Sequence, residues 1–127
     1  MTDTELPDTG IQATHGYRGH ECQVTLSGRI TIDSSPDLRK LLLRHLESPT
    51  CETLTLDFRE VVYVDTSGLA VLLEILKAAR INGKTLRLSR LRERPRYLLE
   101  TTRLMHLFHD VNNEEPQLNR SSSESRQ

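Results

Sequence analysis

The tetrapeptide Asp65-Thr66-Ser67-Gly68 sets one carboxylate, two hydroxyls and a glycine between an apolar run, Val61 to Val64, and a helical pattern that begins at Gly68. The first turn of a helix has unpaired N–H groups and a partial positive charge, so it accepts an anion readily. A serine there is a good place to write a charge. Phosphorylation adds roughly 1.5 to 2 negative charges at neutral pH, tolerated by the helix end but set close to the Asp65 carboxylate. The fold should survive while the surface changes sign.

The helix that must position this joint runs to Asn82-Gly83, a pair suited to a left-handed C-terminal cap. On a wheel of about 100° per residue, Leu69, Leu72, Leu73, Leu76 and Ala79 share one face, which should belong to the core. Ser67 falls roughly opposite, with Val71, Glu74 and Ala78, and Ile75 at its flank. The expectation is an exposed hydroxyl beside a partly apolar outer face open to another protein. A dianion at Ser67 would then have to be desolvated on binding, at a cost of several kcal/mol, enough to act as a switch. The pattern leaves a plainer alternative open: Thr66 or Ser67 only caps the helix, and Val71 and Ile75 pack under a neighbouring loop.

The totals bound the rest. A chain of 127 residues with formal net charge −1 makes one small domain, without an overall pull toward nucleic acid or membrane. No apolar run reaches the ~18 residues of a membrane span, and the acidic, polar start does not read as a signal peptide, so a cytoplasmic protein without membrane insertion is expected. Cys22 and Cys51 are far apart without metal-ligand spacing, which points to buried thiols.

Residues 1–10 read as a disordered lead-in. A strand from Ile11 and a second over Cys22 to Leu26 form a hairpin about the turn Gly16-Tyr17-Arg18-Gly19, and Gly28 breaks the run. Asp33-Ser34-Ser35-Pro36-Asp37 carries helix-start signals: a serine cap, proline at the first position and an acid in the first turn. Leu38, Leu41, Leu42 and Leu46 form the buried stripe, and Glu47-Ser48-Pro49 ends it. Leu54, Leu56 and Phe58 alternate as a strand, Val61 to Val64 leads up to Asp65, and Leu86 and Leu88 mark another strand. Strand, helix, strand in that order predicts a parallel crossover, which puts Asp65 at the carboxyl end of its strand, where open α/β sheets place functional groups. A third helix around Pro95 to Thr102 turns Leu98, Leu99 and Thr102 inward, and Leu107-Phe108 forms a last short strand. Residues 112–127 are polar and read as a disordered tail. The fold class is therefore α/β: a small mixed, mostly parallel sheet of about four or five strands with helices packed on it.

Other constellations do not rise to a site. Ser67 lacks the G-x-S-x-G elbow of a hydrolase nucleophile, and no histidine is tied to it. His106 and His109, three apart near a strand, would point to opposite faces and so do not share a metal. Asp57, Glu60 and Asp65 read as solvated strand-end carboxylates. Phosphate-binding loops are absent, so no nucleotide cofactor is expected. From Arg80 to Arg103, eight basic residues face only Glu93 and Glu100; without interleaved aromatics this reads as a solvated face or a surface for an acidic protein, with no direct nucleic-acid contact.

The element order, together with Asp65-Thr66-Ser67-Gly68-Leu69 and Gly28-Arg29-Ile30 ahead of the first helix, resembles the STAS domain and its single-domain members, the anti-sigma-factor antagonists, over residues 11–111. The resemblance implies that a partner anti-sigma factor with serine kinase activity phosphorylates the second hydroxyl of the motif, Ser67, and that a phosphatase removes the phosphate. It further implies that the unphosphorylated protein binds that partner, through Asp65, Thr66, Gly68, Val71, Glu74, Ile75 and Asp33, and is not itself an enzyme. Two departures stand out: Thr31 occupies a position where many antagonists carry aspartate, with Asp33 close by, and the polar tail offers no match to a final helix. Two other roles follow from the same joint: the accessory subunit of a phospholipid-transport ABC system, and a small-ligand or nucleotide sensor. Oligomeric state is open.

Overall fold

The computed structural model describes residues 10–110, so the expectations for residues 1–9 and 111–127 lie outside the described residues. The described chain folds as β1 (Ile11–Arg18), β2 (Glu21–Ile30), α1 (Ser35–Glu47), β3 (Thr53–Val64), α2 (Thr66–Ile81), β4 (Thr85–Ser89), α3 (Glu93–Thr101), a 3-10 turn (Met105–Leu107) and β5 (His109–Asp110). The five strands lie side by side in sequence order. β1 and β2 are antiparallel, and the pairs β2 with β3, β3 with β4 and β4 with β5 are all parallel. The α/β class and the mixed, mostly parallel sheet are as the sequence predicts.

Side-chain alternation makes the sheet two-faced. Cys22, Val24, Leu26, Leu54, Leu56, Phe58, Leu86 and Leu88 are buried on one face, in one core with Leu38, Leu41 and Leu42 of α1 and Leu69, Leu72 and Leu76 of α2. The other face is polar. There the Thr55 hydroxyl donates to Glu21 Oε2 at 2.6 Å, and Arg90 pairs with Asp57 at 3.3 Å.

Two register shifts between β2 and β3, at Thr25/Ser27 and Gly28/Arg29, reshape the functional end of the sheet. Each inserts one extra residue in β3 and flips the parity of inward side chains. Phe58, Val61 and Val64 are consequently all buried although their spacing is not even. Tyr63 is turned away from Val64 and lies across from Arg29. The sequence predicts separate segments at Leu54–Phe58 and Val61–Val64, and a break at Gly28; the strands instead run through, because the bulges absorb the mismatch and Gly28 adopts φ +110°. β1 likewise continues through Gly16-Tyr17-Arg18, which leaves Gly19 and His20 as the turn.

α1 starts at Ser35, one residue ahead of the proline expected at its first position, and stops where the sequence places it, with Ser48 as the C-terminal cap. Lys84 Nζ donates to the carbonyl oxygens of Leu46 and Ser48, at 2.5 and 2.7 Å, and so satisfies orphan acceptors at the negative end of α1. α2 ends at Asn82-Gly83, with Gly83 at φ +69°. α3 begins at Glu93, and of its expected inward residues Leu99 is buried, Leu98 half-buried and Thr102 exposed. Leu107 closes the 3-10 turn and Phe108 caps it, so the last strand starts only at His109. No helix among the described residues is long and apolar enough to cross a membrane.

Candidate functional site

β3 delivers Asp65 to the N-cap position of α2, in extended conformation. One carboxylate oxygen, Oδ1, accepts from the Ser67 N–H at 2.9 Å, the Gly68 N–H at 3.1 Å and the Ser67 hydroxyl at 2.5 Å. The other, Oδ2, accepts from the Ile32 N–H at 3.1 Å. One side chain therefore caps α2 and ties it to the loop between β2 and α1. Partial burial is the largest single influence on this carboxyl and acts to raise its pKa. The Ser67 hydroxyl and the N–H groups of Gly68, Ser67 and Ile32 together outweigh it and hold the group below the ordinary carboxylate value. The cap is thus Asp65, and neither Thr66 nor Ser67.

Gly68 is what allows the approach. A Cβ at this position would lie 2.5 Å from Ile30 Cγ2 and 2.8 Å from Val64 Cγ1, so the first turn of α2 rests directly on the ends of β2 and β3.

The N-terminus of α1 meets it there. The Ser35 hydroxyl donates to the Thr31 carbonyl at 2.7 Å and lies 2.9 Å from Ser67 Oγ. Ser34, the N-cap by position, makes no capping hydrogen bond; its hydroxyl accepts from the Thr31 N–H at 2.9 Å and faces the Arg29 and Thr31 carbonyls. Two helix N-termini, each a partial positive charge, thus converge on the Ser35–Ser67 contact.

This contact overturns the expected outer face of α2. The side that carries Ser67 is turned toward α1 and away from solvent: Val71 is 6% exposed and Ile75 0%, both inside the core shared with Leu38 and Leu41. The neighbour that covers them is a helix, because α1 packs along the length of α2. At the rim, Glu74 Oε2 accepts from Arg39 Nε at 2.7 Å and pairs with Nη2 at 2.6 Å. Ser67 is half-buried, and the exposed hydroxyl-bearing residue of the joint is Thr66.

Of the predicted partner-contact residues, Asp65, Thr66 and Asp33 gather with Ser67 at one edge of the molecule, Glu74 lies two turns away, and Gly68, Val71 and Ile75 are buried, Gly68 because it rests on the strand ends. Asp33 is exposed, its N–H donating to Thr31 Oγ1 at 3.3 Å. Residues to which the sequence assigned no place at the joint complete the edge: Ser35, Ile32 at 72% exposure, and Tyr63, with Arg29 and Arg94 over its ring. Ser35 was legible only as part of a helix-start signal; its partner across the helix pair is set by strand register. Among the described residues no group of three or more His, Cys, Asp or Glu side chains is placed to hold a metal ion.

Comparison with solved structures shows the same fold in an anti-sigma factor antagonist from Mycobacterium paratuberculosis, at TM-score 0.74 and 16% identity over 87% of this chain and 93% of that one. SpoIIAA in its unphosphorylated form aligns at TM-score 0.66 and 16% identity, over 81% of this chain and 90% of that one. Phosphorylated SpoIIAA, a Bacillus cell fate determinant, aligns at TM-score 0.62 and 14% identity, over 81% of this chain and 94% of that one. A family model described as "Mlab, STAS domain" matches residues 14–109, most of the chain and all of the joint. With that match laid over a sheet that ends at Asp65 and a helix that opens on Thr66-Ser67-Gly68, the chain belongs to the STAS domain family.

Proposed function

We propose that the protein is an anti-sigma-factor antagonist that works by reversible protein binding, is not itself an enzyme, and is switched by phosphorylation at Ser67. One observation carries the reading: the Ser67 hydroxyl donates to Asp65 Oδ1 at 2.5 Å, in the family's motif, where two helix N-termini meet. As a phosphoester, Ser67 Oγ has no proton to donate and brings a dianion against the Asp65 carboxylate. The attraction that closes the joint becomes a repulsion. Because Asp65 Oδ2 also holds the Ile32 N–H, the strain passes to the exposed Ile32–Asp33 loop, so the modification alters surface shape as well as charge. The helix N-termini offset part of the charge, which favours rearrangement over unfolding. Contacts are made by Asp65, Thr66 and Asp33, with Glu74 at the margin; Gly68, Val71 and Ile75 are buried and support the joint and the helix pair from inside. The partners are an anti-sigma factor with serine kinase activity and a phosphatase, met in the cytoplasm.

A second reading, the accessory subunit of a phospholipid-transport ABC system, is favoured by the Mlab description of the matching family model. Mass spectrometry of protein from its own cells, with co-purified partners identified, separates the two. An anti-sigma factor and phosphate on Ser67 support the first, and a transporter ATPase supports the second. In binding assays Ser67→Ala should retain partner affinity constitutively, and Ser67→Asp or Ser67→Glu should lose it. Equal affinity for all three variants removes the switch.

A further inference from the structure

Four oxygens form an unbroken row at the joint: the Thr31 carbonyl, Ser35 Oγ, Ser67 Oγ and Asp65 Oδ1, at successive distances of 2.7, 2.9 and 2.5 Å. Each hydroxyl carries a single proton, so the two serines cannot fill all the gaps of the row at once. The Ser67 proton belongs to Asp65, whose charge makes it the strongest acceptor present. The Ser35 proton has a choice. It rests on the Thr31 carbonyl, but that oxygen already accepts from the Ser34 and Ser35 N–H groups at 3.0 and 2.8 Å, which take up both its lone pairs. Toward Ser67 it faces an oxygen that is giving its own proton away, and such an oxygen accepts the better for it. Ser35 therefore keeps a donor that its loop does not need, on a residue only 5% exposed and in contact with the hydroxyl assigned to modification.

We propose that Ser35 is the latch of the modified state: when Ser67 is a phosphoester, the Ser35 hydroxyl turns from the Thr31 carbonyl to the phosphate and holds it between the starts of α1 and α2. This rests on the reading of Ser67 given above and adds the residue that receives the phosphate. Modification takes the Ser67 proton out of the row and leaves only that of Ser35. The ester oxygen keeps the place of Ser67 Oγ, 2.9 Å from Ser35, so the oxygens on its phosphorus come within reach of the same hydroxyl. A dianionic phosphate is a stronger acceptor than a carbonyl that already has two donors. The new bond replaces part of what the lost Ser67–Asp65 bond contributed and keeps α1 tied to α2. Held there, the charge stays at the edge that carries Thr66 and Asp33, where a partner must meet it.

The full chain is made with phosphoserine incorporated at position 67 during translation, which needs no kinase. Phosphorus NMR then follows the phosphate through its second ionisation, which lies near about pH 6 in free phosphoserine. A donor that favours the dianion lowers this midpoint. Ser35→Ala should raise it by at least about half a unit relative to the unsubstituted phosphoprotein, and Ser35→Gly, which removes the same hydroxyl and adds no bulk, should raise it equally. The charges around the joint, Asp65, Asp33, Asp37, Glu93 and Arg94, are common to all these proteins, so the difference reads the hydroxyl alone. Ser34→Ala is the control for a loosened loop. The Ser34 hydroxyl bonds to the Thr31 N–H and to the Arg29 and Thr31 carbonyls, away from Ser67, so its loss should leave the midpoint in place. An unchanged midpoint in both Ser35 variants overturns the proposal, as does an equal rise in Ser34→Ala. Because the phosphate is installed by translation, the titration stands whether or not a kinase uses Ser67, and the partner affinities of the Ser67 variants decide that reading separately.

Discussion

Asp65→Ala tests the geometry of the joint most directly. The substitution removes an N-cap whose loss costs about 1 kcal/mol, with a range of about 0.5–2. It also removes the charged acceptor for the Ile32 N–H, which at a half-exposed position contributes near the low end of the ~1.5–3 kcal/mol assigned to such bonds. Together the loss is about 2–3 kcal/mol at pH 7, which for a domain of this size lowers the melting temperature by about 10–15 °C. The pH dependence supplies an independent check. The folded-state pKa of Asp65 is depressed, so its stabilisation is complete above the unfolded carboxylate pKa of about 3.9 and is lost as pH falls through the folded value. Urea unfolding of both proteins at pH 7, 5, 4 and 3 should therefore show a constant gap down to pH 5 that narrows below about pH 4. Asp65→Asn should recover part of the cap through its amide oxygen, but its amide nitrogen would meet the Ile32 N–H donor to donor, leaving an intermediate loss. A gap under ~0.5 kcal/mol at pH 7, within the scatter of ordinary surface substitutions, would refute the role assigned to Asp65. A gap that did not narrow in acid would refute the role of its charge.

Gly68→Ala should gain about 1 kcal/mol of helix propensity and lose more to the contacts with Ile30 Cγ2 and Val64 Cγ1, for a net destabilisation of about 1–2 kcal/mol in urea titration. Stabilisation instead would mean that α2 does not rest on the strand ends. Both cysteines have 0% exposure, and burial pushes the Cys51 thiol up against smaller lowering contributions from Cys22 hydrogen bonds and the Lys84 charge. In the folded protein Cys51 should react with a disulfide reagent at least about a hundredfold more slowly than in urea, and rapid native labelling would contradict its burial.

Short-range patterns determined much of this protein. The leucine stripe of α1, its stop at Ser48-Pro49 and the cap at Asn82-Gly83 follow from side-chain period and from residues with special backbone preferences, which act within one or two turns. The placement of Asp65-Thr66-Ser67-Gly68 at a strand's carboxyl end follows from the order of elements alone. Tertiary structure decided what depends on neighbours distant in sequence. A wheel drawn on α2 shows two apolar sides but does not say that α1 lies on the second, so Val71 and Ile75 could be read as an outer surface until the Ser35–Ser67 contact oriented the helix. Bulges in β3 leave no trace in an apolar run, yet they set Tyr63 across from Arg29, where the Arg29 and Arg94 guanidiniums lie over its ring. The run of basic residues likewise reads as one charged stretch. Only the fold separates Lys84 and Arg90, bound to internal acceptors, from Arg94, because that division depends on strand and helix ends more than thirty residues apart in the chain.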